Sequence, residues 1–490
     1  MKKLYRYSTI VFSVLSLSLT SCSDYLDRDD DDNITEADVF ARYEKVNGLV
    51  SDVYAAAKKA DRPLVFFEHF SNSAITDECE GTNVEGNITN NFNNGAWNPN
   101  SLPGSVGQYW EALYEGIRKA NLIIENVEKY NTPDNPQQDG DLRNRIGEMY
   151  FMRGYFHMLL MRMYGEAPYI DYVVHAGDNM DFKKESVHAM VEKIVADAQT
   201  AYSMVPNKYV KTSENFGRVD KGACLGLIAF VRWVAATPLW NGASQYGYNL
   251  RRVFENEYAY DINRWRRAKE AAKAVMDFEV GGTKRYSLYT KHDANDFKDP
   301  ADGNLNDSRV YARLWDMFYD MDAFANEYVF FMTKSKDQAW QGDIYPPSRE
   351  GSSRQQPVQE QVDEYEYIVG DYGYPVYSAE ARKGGYDDAN PYVKGTRDPR
   401  FYRDIIYHGA PYRNNNNESK IINTASGSDK IGATNATTTG YYLRKFQQES
   451  WNKSGNFSIN APAIWRLPEF IYIYAEACNE LGEDIDEAYK

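Results

Sequence analysis

The residues best equipped for chemistry lie in one asparagine-rich stretch, Asn90-Asn91-Phe92-Asn93-Asn94-Gly95-Ala96-Trp97-Asn98-Pro99-Asn100. A flat indole can stack on the weakly polarised C–H face of a sugar ring, while neighbouring amides and carboxylates bond its hydroxyls. Trp97 and Asn100 lead the candidates, with Asp77 and Glu78 upstream. The competing reading packs Trp97 against the helix that follows, because tryptophan is highly buried on average. Farther along, Tyr311, Trp315 and Tyr319 recur at spacing four, and Phe318 widens the stripe. Such a stripe serves a core as readily as a ligand platform. Trp340 sits among Gln338, Gln341, Gly342 and Asp343, a polar surround that favours exposure. Tyr374, with Tyr372, falls in Gly370-Asp371-Tyr372-Gly373-Tyr374-Pro375, which reads as a turn.

Bond-breaking chemistry has less support. Hydrolysis of a glycosidic bond needs two carboxylates at a defined separation. Among 71 Asp and Glu residues some pair always looks suitable, so their presence decides nothing. H-E-x-x-H, G-x-S-x-G, a phosphate-binding glycine loop and C-x-x-C are all missing from the sequence. Asp299 to Asp307 has oxygen ligands enough for calcium but lacks the register of an EF-hand, so it reads as a solvated turn. Neither the cysteines nor the six scattered histidines have metal-ligand spacing, and no metal or cofactor is expected. A net charge of −16 argues against nucleic acid as a partner, since a phosphate-binding surface must be basic. With 40 Tyr and 9 Trp the chain carries more aromatics than a core of its size requires; tyrosine suits ligand-contacting surfaces, although any single one is better placed between helices.

The N-terminus places the chain in a cell. Lys2, Lys3 and Arg6 form a positive n-region, and Ile10 to Leu19 an apolar segment shorter than the roughly 20 residues of a membrane span. Leu19-Thr20-Ser21-Cys22 resembles the bacterial lipobox, in which cleavage precedes an acylated cysteine. Residues 1–21 are thus expected to be a lipoprotein signal peptide, Cys22 the lipidated residue and membrane anchor, and residues 22–34 an acidic tether. Three cysteines then remain, too few and too dispersed for a disulfide framework; Cys224 and Cys478 fall in apolar helical patterns and are expected to be buried.

The elements that must position these residues are mainly helical. Leu113, Ile117, Ala120, Ile124 and Val127 mark one stripe of a helix from about Gly107 to Tyr130, stopped by Asn131-Thr132-Pro133. Met149, Met152, Phe156 and Leu159 mark the next; Met190, Ile194 and Ala198 a third; Cys224, Ile228, Val231 and Ala235 a fourth; Trp265, Ala268, Ala272 and Val275 a fifth. Helix pairs with small residues at their crossings look like tetratricopeptide-type stacking over residues 35–278. From 279 to 460 Gly, Asn, Asp, Pro and Tyr break the period, and so long an irregular stretch is expected to face a ligand or partner. Residues 461–490 return to helix, with Leu467, Ile471, Tyr474 and Cys478 in register and Gly482 at the C-cap. Asp484 to Lys490 reads as the start of a partner helix, which suggests a truncated C-terminus.

Several of these segments, in order, resemble the SusD/RagB family of outer-membrane nutrient-binding lipoproteins. They are Leu113-Tyr114-Glu115-Gly116-Ile117-Arg118-Lys119-Ala120-Asn121, Tyr150-Phe151-Met152-Arg153-Gly154-Tyr155-Phe156, Gly165-Glu166-Ala167-Pro168, Gly217-Arg218-Val219-Asp220-Lys221-Gly222, Asp398-Pro399-Arg400-Phe401, Tyr442-Leu443-Arg444-Lys445-Phe446 and Arg466-Leu467-Pro468-Glu469. The resemblance implies a SusD-like helical scaffold on the outer leaflet that binds oligosaccharides, or in some members peptides. It also implies a SusC-like TonB-dependent transporter as partner. Trp97 and Asn100 resemble in position the tryptophan and asparagine that glycan-binding members present. A surface glycoside hydrolase is the less favoured alternative.

Overall fold

The structure, a computed structural model, describes residues 35–60, 70–83, 88–98, 100–101, 104–130, 139–209, 214–243, 253–290, 317–318, 320–332, 342–393, 395–413, 419–446 and 463–489. Cys22, Tyr311, Trp315 and Trp340 therefore lie outside the described residues, as do the signal segment and the acidic tether.

Among the described residues seven long helices carry the scaffold: α1 (Tyr43–Ala60), α2 (Gly104–Tyr130), α3 (Asp139–Tyr164), α4 (Val187–Met204), α5 (Lys221–Ala236), α6 (Ile262–Met276) and α7 (Leu467–Leu481). Each packs on the next in chain order, so the helices form one continuous stack. Burial follows the apolar period. Leu113, Ile117, Ala120 and Val127 of α2 face Met149, Met152, Phe156 and Leu159 of α3 inside one large core. The crossing of α2 and α3 depends on Gly116, where a methyl group would stand 2.6 Å from the Phe156 ring. Side-chain caps fix the starts of helices: Ser186 accepts from the Ala189 amide at 3.2 Å, and Asp220 from the Ala223 amide at 3.1 Å.

α7 returns to this stack from far along the chain and docks on α6. It follows directly on the strand Ala463–Arg466, which pairs antiparallel with Tyr328–Phe331. At its other end Gly482 adopts φ +64°. The Gly482 amide donates to the Asn479 carbonyl at 3.2 Å and the Glu483 amide to that of Cys478 at 3.1 Å. This is the Schellman closure that only a residue tolerant of left-handed backbone permits cheaply. One helical turn, Ile485–Ala488, follows.

The segment between α6 and α7 is less irregular than the sequence suggests. It builds small clusters of its own, one around Tyr345, Val362, Phe401, Ile406, Tyr412 and Tyr442. Buried arginines act as struts there: the Arg397 guanidinium donates to the Val362 carbonyl at 2.6 Å and lies 4.9 Å from the Phe401 ring. One local expectation is corrected. Tyr372 and Tyr374 belong not to a turn but to a strand, Tyr372–Tyr374, paired with Tyr367–Val369 around Gly370 at φ +63°. Residues 402–407 divide between a helix, Pro399–Asp404, and a strand, Ile405–Ile406. The first four residues of the asparagine-rich stretch, Asn90 to Asn93, end a short helix, Ile88–Asn93.

Candidate functional site

Trp97 hangs from a small satellite cluster rather than from the main core. Phe70 and Ala74 are buried there, with Ile75, Ile88 and Phe92 packed against them. Phe92, in the last turn of the short helix, offers its ring to Trp97 at 5.4 Å between centroids, tilted by 48°. Trp97 is 41% exposed, so it is not a core residue. Gly95, at φ +62°, lets the chain leave the helix and turn toward Trp97. Asn98 and Ser101 then close a bridge, and the Asn98 side chain accepts from the Asn100 amide at 2.9 Å. Asn98 and Asn100 are exposed on either side of the undescribed Pro99.

Asp77 and Glu78 form the exposed turn of a hairpin, Ile75–Thr76 with Cys79–Gly81. The hairpin and the Trp97 loop share the Phe70 cluster, and the Asn93 side chain joins them by donating to the Ala74 carbonyl at 3.2 Å. Cys79–Gly81 also pairs with Gln355–Pro357, which fixes the hairpin to the segment between α6 and α7. Gln355 accepts from the Ser71 amide at 3.0 Å in the same junction. The structure thus sets the Asp77 hairpin and the loop that carries Trp97 and Asn100 against one small cluster. Tyr374 is not on it; it packs instead near Tyr367, Val376 and Tyr386.

Beside the hairpin opens a cavity of about 230 Å³ of mixed lining, whose polar members include Ser71, Ser73, Glu78, Gln361, Asp404 and Lys445. Burial pushes the Lys445 ammonium down from the usual lysine range. The Tyr365 hydroxyl, also at this cavity, donates to Asp404 at 2.9 Å. Of this set sequence reasoning singled out only Glu78, because the members come from four separated stretches and the others do not stand out by type. Lys445 had a weaker signal, as part of Tyr442 to Phe446. The cavity offers hydroxyls, amides, carboxylates and a cation, which can bond a polyol. Burial pushes the Cys79 thiol up to about 12, which keeps it protonated near neutral pH. Among the described residues no group of three His, Cys, Asp or Glu is placed to hold a metal ion.

Comparison with known proteins agrees with this architecture. A SusD-like family described as starch-binding and associating with the outer membrane matches residues 24–231, and the SusD family matches residues 315–490. The chain belongs to the SusD/RagB family. Over 202 residues it is 26% identical to SusD-like protein P2 of Formosa agariphila, a match covering 40% of this chain and 38% of that relative's length. Its fold is similar to a SusD-like protein from Bacteroides fragilis with a TM-score of 0.68 at 18% identity, over 93% of this chain and 78% of that one. A laminarin-binding SusD-like protein matches with a TM-score of 0.51 at 16% identity, over 89% and 80% of the two chains. At these identities the solved structures establish the SusD fold alone. No helix among the described residues is long and apolar enough to cross a membrane.

Proposed function

We propose that this SusD-family chain is a non-catalytic receptor that binds an oligosaccharide or polysaccharide at the cell surface and delivers it to a SusC-like TonB-dependent transporter in the outer membrane. Acylation of Cys22 supplies the anchor, and residues 22–34 the tether that holds the folded body clear of the lipid. The observation that carries the reading is the exposed Trp97 face, held on Phe92 in an asparagine-rich loop that shares the Phe70 cluster with the Asp77-Glu78 hairpin. That is the pairing of aromatic platform and hydroxyl-bonding groups that a sugar ring requires, in a chain whose family is described as starch-binding. Residues 35–278 act as the scaffold and 279–460 as the ligand- and partner-facing part.

Trp97→Ala tests the reading by titration calorimetry with oligosaccharides of whichever polymer binds the wild-type chain. Loss of one stacking platform is expected to weaken binding about five- to tenfold, with unchanged far-ultraviolet circular dichroism. Unaltered affinity would remove this loop from the site. Binding of peptides but of no glycan would favour the peptide-uptake alternative known among RagB-like members.

A further inference from the structure

A second cleft, far larger than the cavity beside the hairpin, lies along the N-terminal half of α2. Its volume is about 700 Å³, within the ~300–1,000 Å³ that ligand sites occupy. Trp110 and Tyr114 of α2 form one side, and the connection from α3 to α4, with Tyr172, Met180 and Phe182, forms the other. Tyr172 is 50% and Met180 67% exposed, unusual for large apolar side chains on a charged surface. Polar groups interleave with them: Glu111, Arg118, His175 and Asp178 line the same cleft. Glu111 has no hydrogen-bond or ion-pair partner among the described residues.

The far wall of this cleft is irregular backbone, yet it is held rigidly by helical side chains. Tyr114 donates to the Pro168 carbonyl at 2.7 Å, and Asn121 to those of Ile170 and Tyr172 at 3.1 and 2.9 Å. Arg153 donates to the Asp171 carbonyl at 3.1 Å, and Arg118 to that of Val174 at 2.5 Å. The Ile170 amide donates to Nε2 of His157 at 3.1 Å. Asn121, Arg153 and His157 are buried, so the bonds they make to the wall are partly shielded from water. A wall fixed in this way loses little entropy when a ligand settles against it.

We propose that this cleft is a second carbohydrate subsite, separate from the Trp97 loop, in which a sugar ring stacks on Tyr172 and bonds Glu111 through its hydroxyls. The proposal rests on the glycan reading above and extends it to a longer or second stretch of the same polymer. A peptide fits less well, because strand addition needs free main-chain groups, and the carbonyls of 168, 170, 171, 172 and 174 are already bonded. An apolar helix fits less well too, since charged side chains interrupt the aromatic lining.

Affinity gels containing soluble starch, laminarin, xylan or mucin would be run with the wild-type chain, Tyr172→Ala, Tyr172→Phe and Glu111→Gln, each also combined with Trp97→Ala. For the polymer that retards the wild type most, Tyr172→Ala is expected to weaken binding about five- to tenfold and Glu111→Gln about threefold, whereas Tyr172→Phe keeps its stacking face. Losses should multiply with that of Trp97→Ala, as separate sites require. Wild-type affinity in both Tyr172→Ala and Glu111→Gln would overturn the subsite and leave the Trp97 reading standing. Retardation of the wild type by none of the polymers would overturn both. If Tyr172→Ala unfolded, Glu111→Gln would decide alone, being a change on an exposed helix face.

Discussion

His157 shows how a single residue couples the interior of α3 to the cleft wall. It is fully buried, stacks on Tyr169 at 3.7 Å between ring centroids, and has both nitrogens engaged. Nδ1 donates to the Arg153 carbonyl at 2.9 Å while Nε2 accepts from Ile170, which fixes the neutral tautomer. Burial holds its pKa near 3, against an ordinary value of 6.5. The unfolded chain therefore binds a proton that the folded chain refuses between those two values. Stability that is fully present above pH 6.5 is lost as pH falls toward 3. Denaturant titrations at pH 7 and pH 5 are expected to differ by about 1–2 kcal/mol from this residue, and the pH dependence should flatten in His157→Gln. An equal slope in the variant would assign it to other groups.

The tyrosine surplus is also explained residue by residue. Tyr345, Tyr402, Tyr412 and Tyr442 are buried in the segment between α6 and α7. The Tyr402 hydroxyl donates to the Val393 carbonyl at 2.7 Å, and that of Tyr442 to the Asp429 carbonyl at 2.8 Å. A segment short of aliphatic residues builds its small cores from rings whose hydroxyls satisfy loop carbonyls. Composition alone does not separate such struts from exposed rings such as Tyr172, because both are tyrosines in irregular sequence.

At the scale of elements, helices were legible and their junctions were not. The period placed α2 to within three residues of its start, and the stripes it named on α2, α4 and α6 are buried. It could not show that residues 168–174 lie against α2 and α3, since those bonds join polar side chains to main-chain carbonyls and leave no hydrophobic pattern. Asn121→Ala tests their role. It removes two bonds to the wall, at Ile170 and Tyr172, and is expected to cost about 1–3 kcal/mol. Hydrogen exchange should quicken in residues 168–182 more than in α2 or α3. Uniform loss of protection would mean that Asn121 serves the global fold. The helix crossing offers a second test. Gly116→Ala gains helix propensity but drives a methyl group into the Phe156 ring, and the expected net is a destabilisation of about 1–2 kcal/mol by thermal unfolding.

At the scale of the molecule, a sequential helical stack receives its last helix from nearly two hundred residues farther on, with the strand pair Tyr328–Phe331 and Ala463–Arg466 guiding it home. The sequence made this return visible through the renewed period after Pro468 and the cap at Gly482. The platform that unites the Trp97 loop with the Asp77 hairpin was half visible. Residue types identified the loop, but the strand Gln355–Pro357 that fixes the hairpin is about 275 residues away and carries no pattern of its own. Scaffold and platform together present groups that can bond a ligand, which the proposed receptor role uses. The most direct test is affinity electrophoresis of residues 33–490 through gels of plant, host and microbial polysaccharides, with release of reducing ends assayed in parallel. Retardation by at least one polymer without release is the outcome expected of a glycan receptor; release of reducing ends, or migration unchanged in every gel, would contradict it.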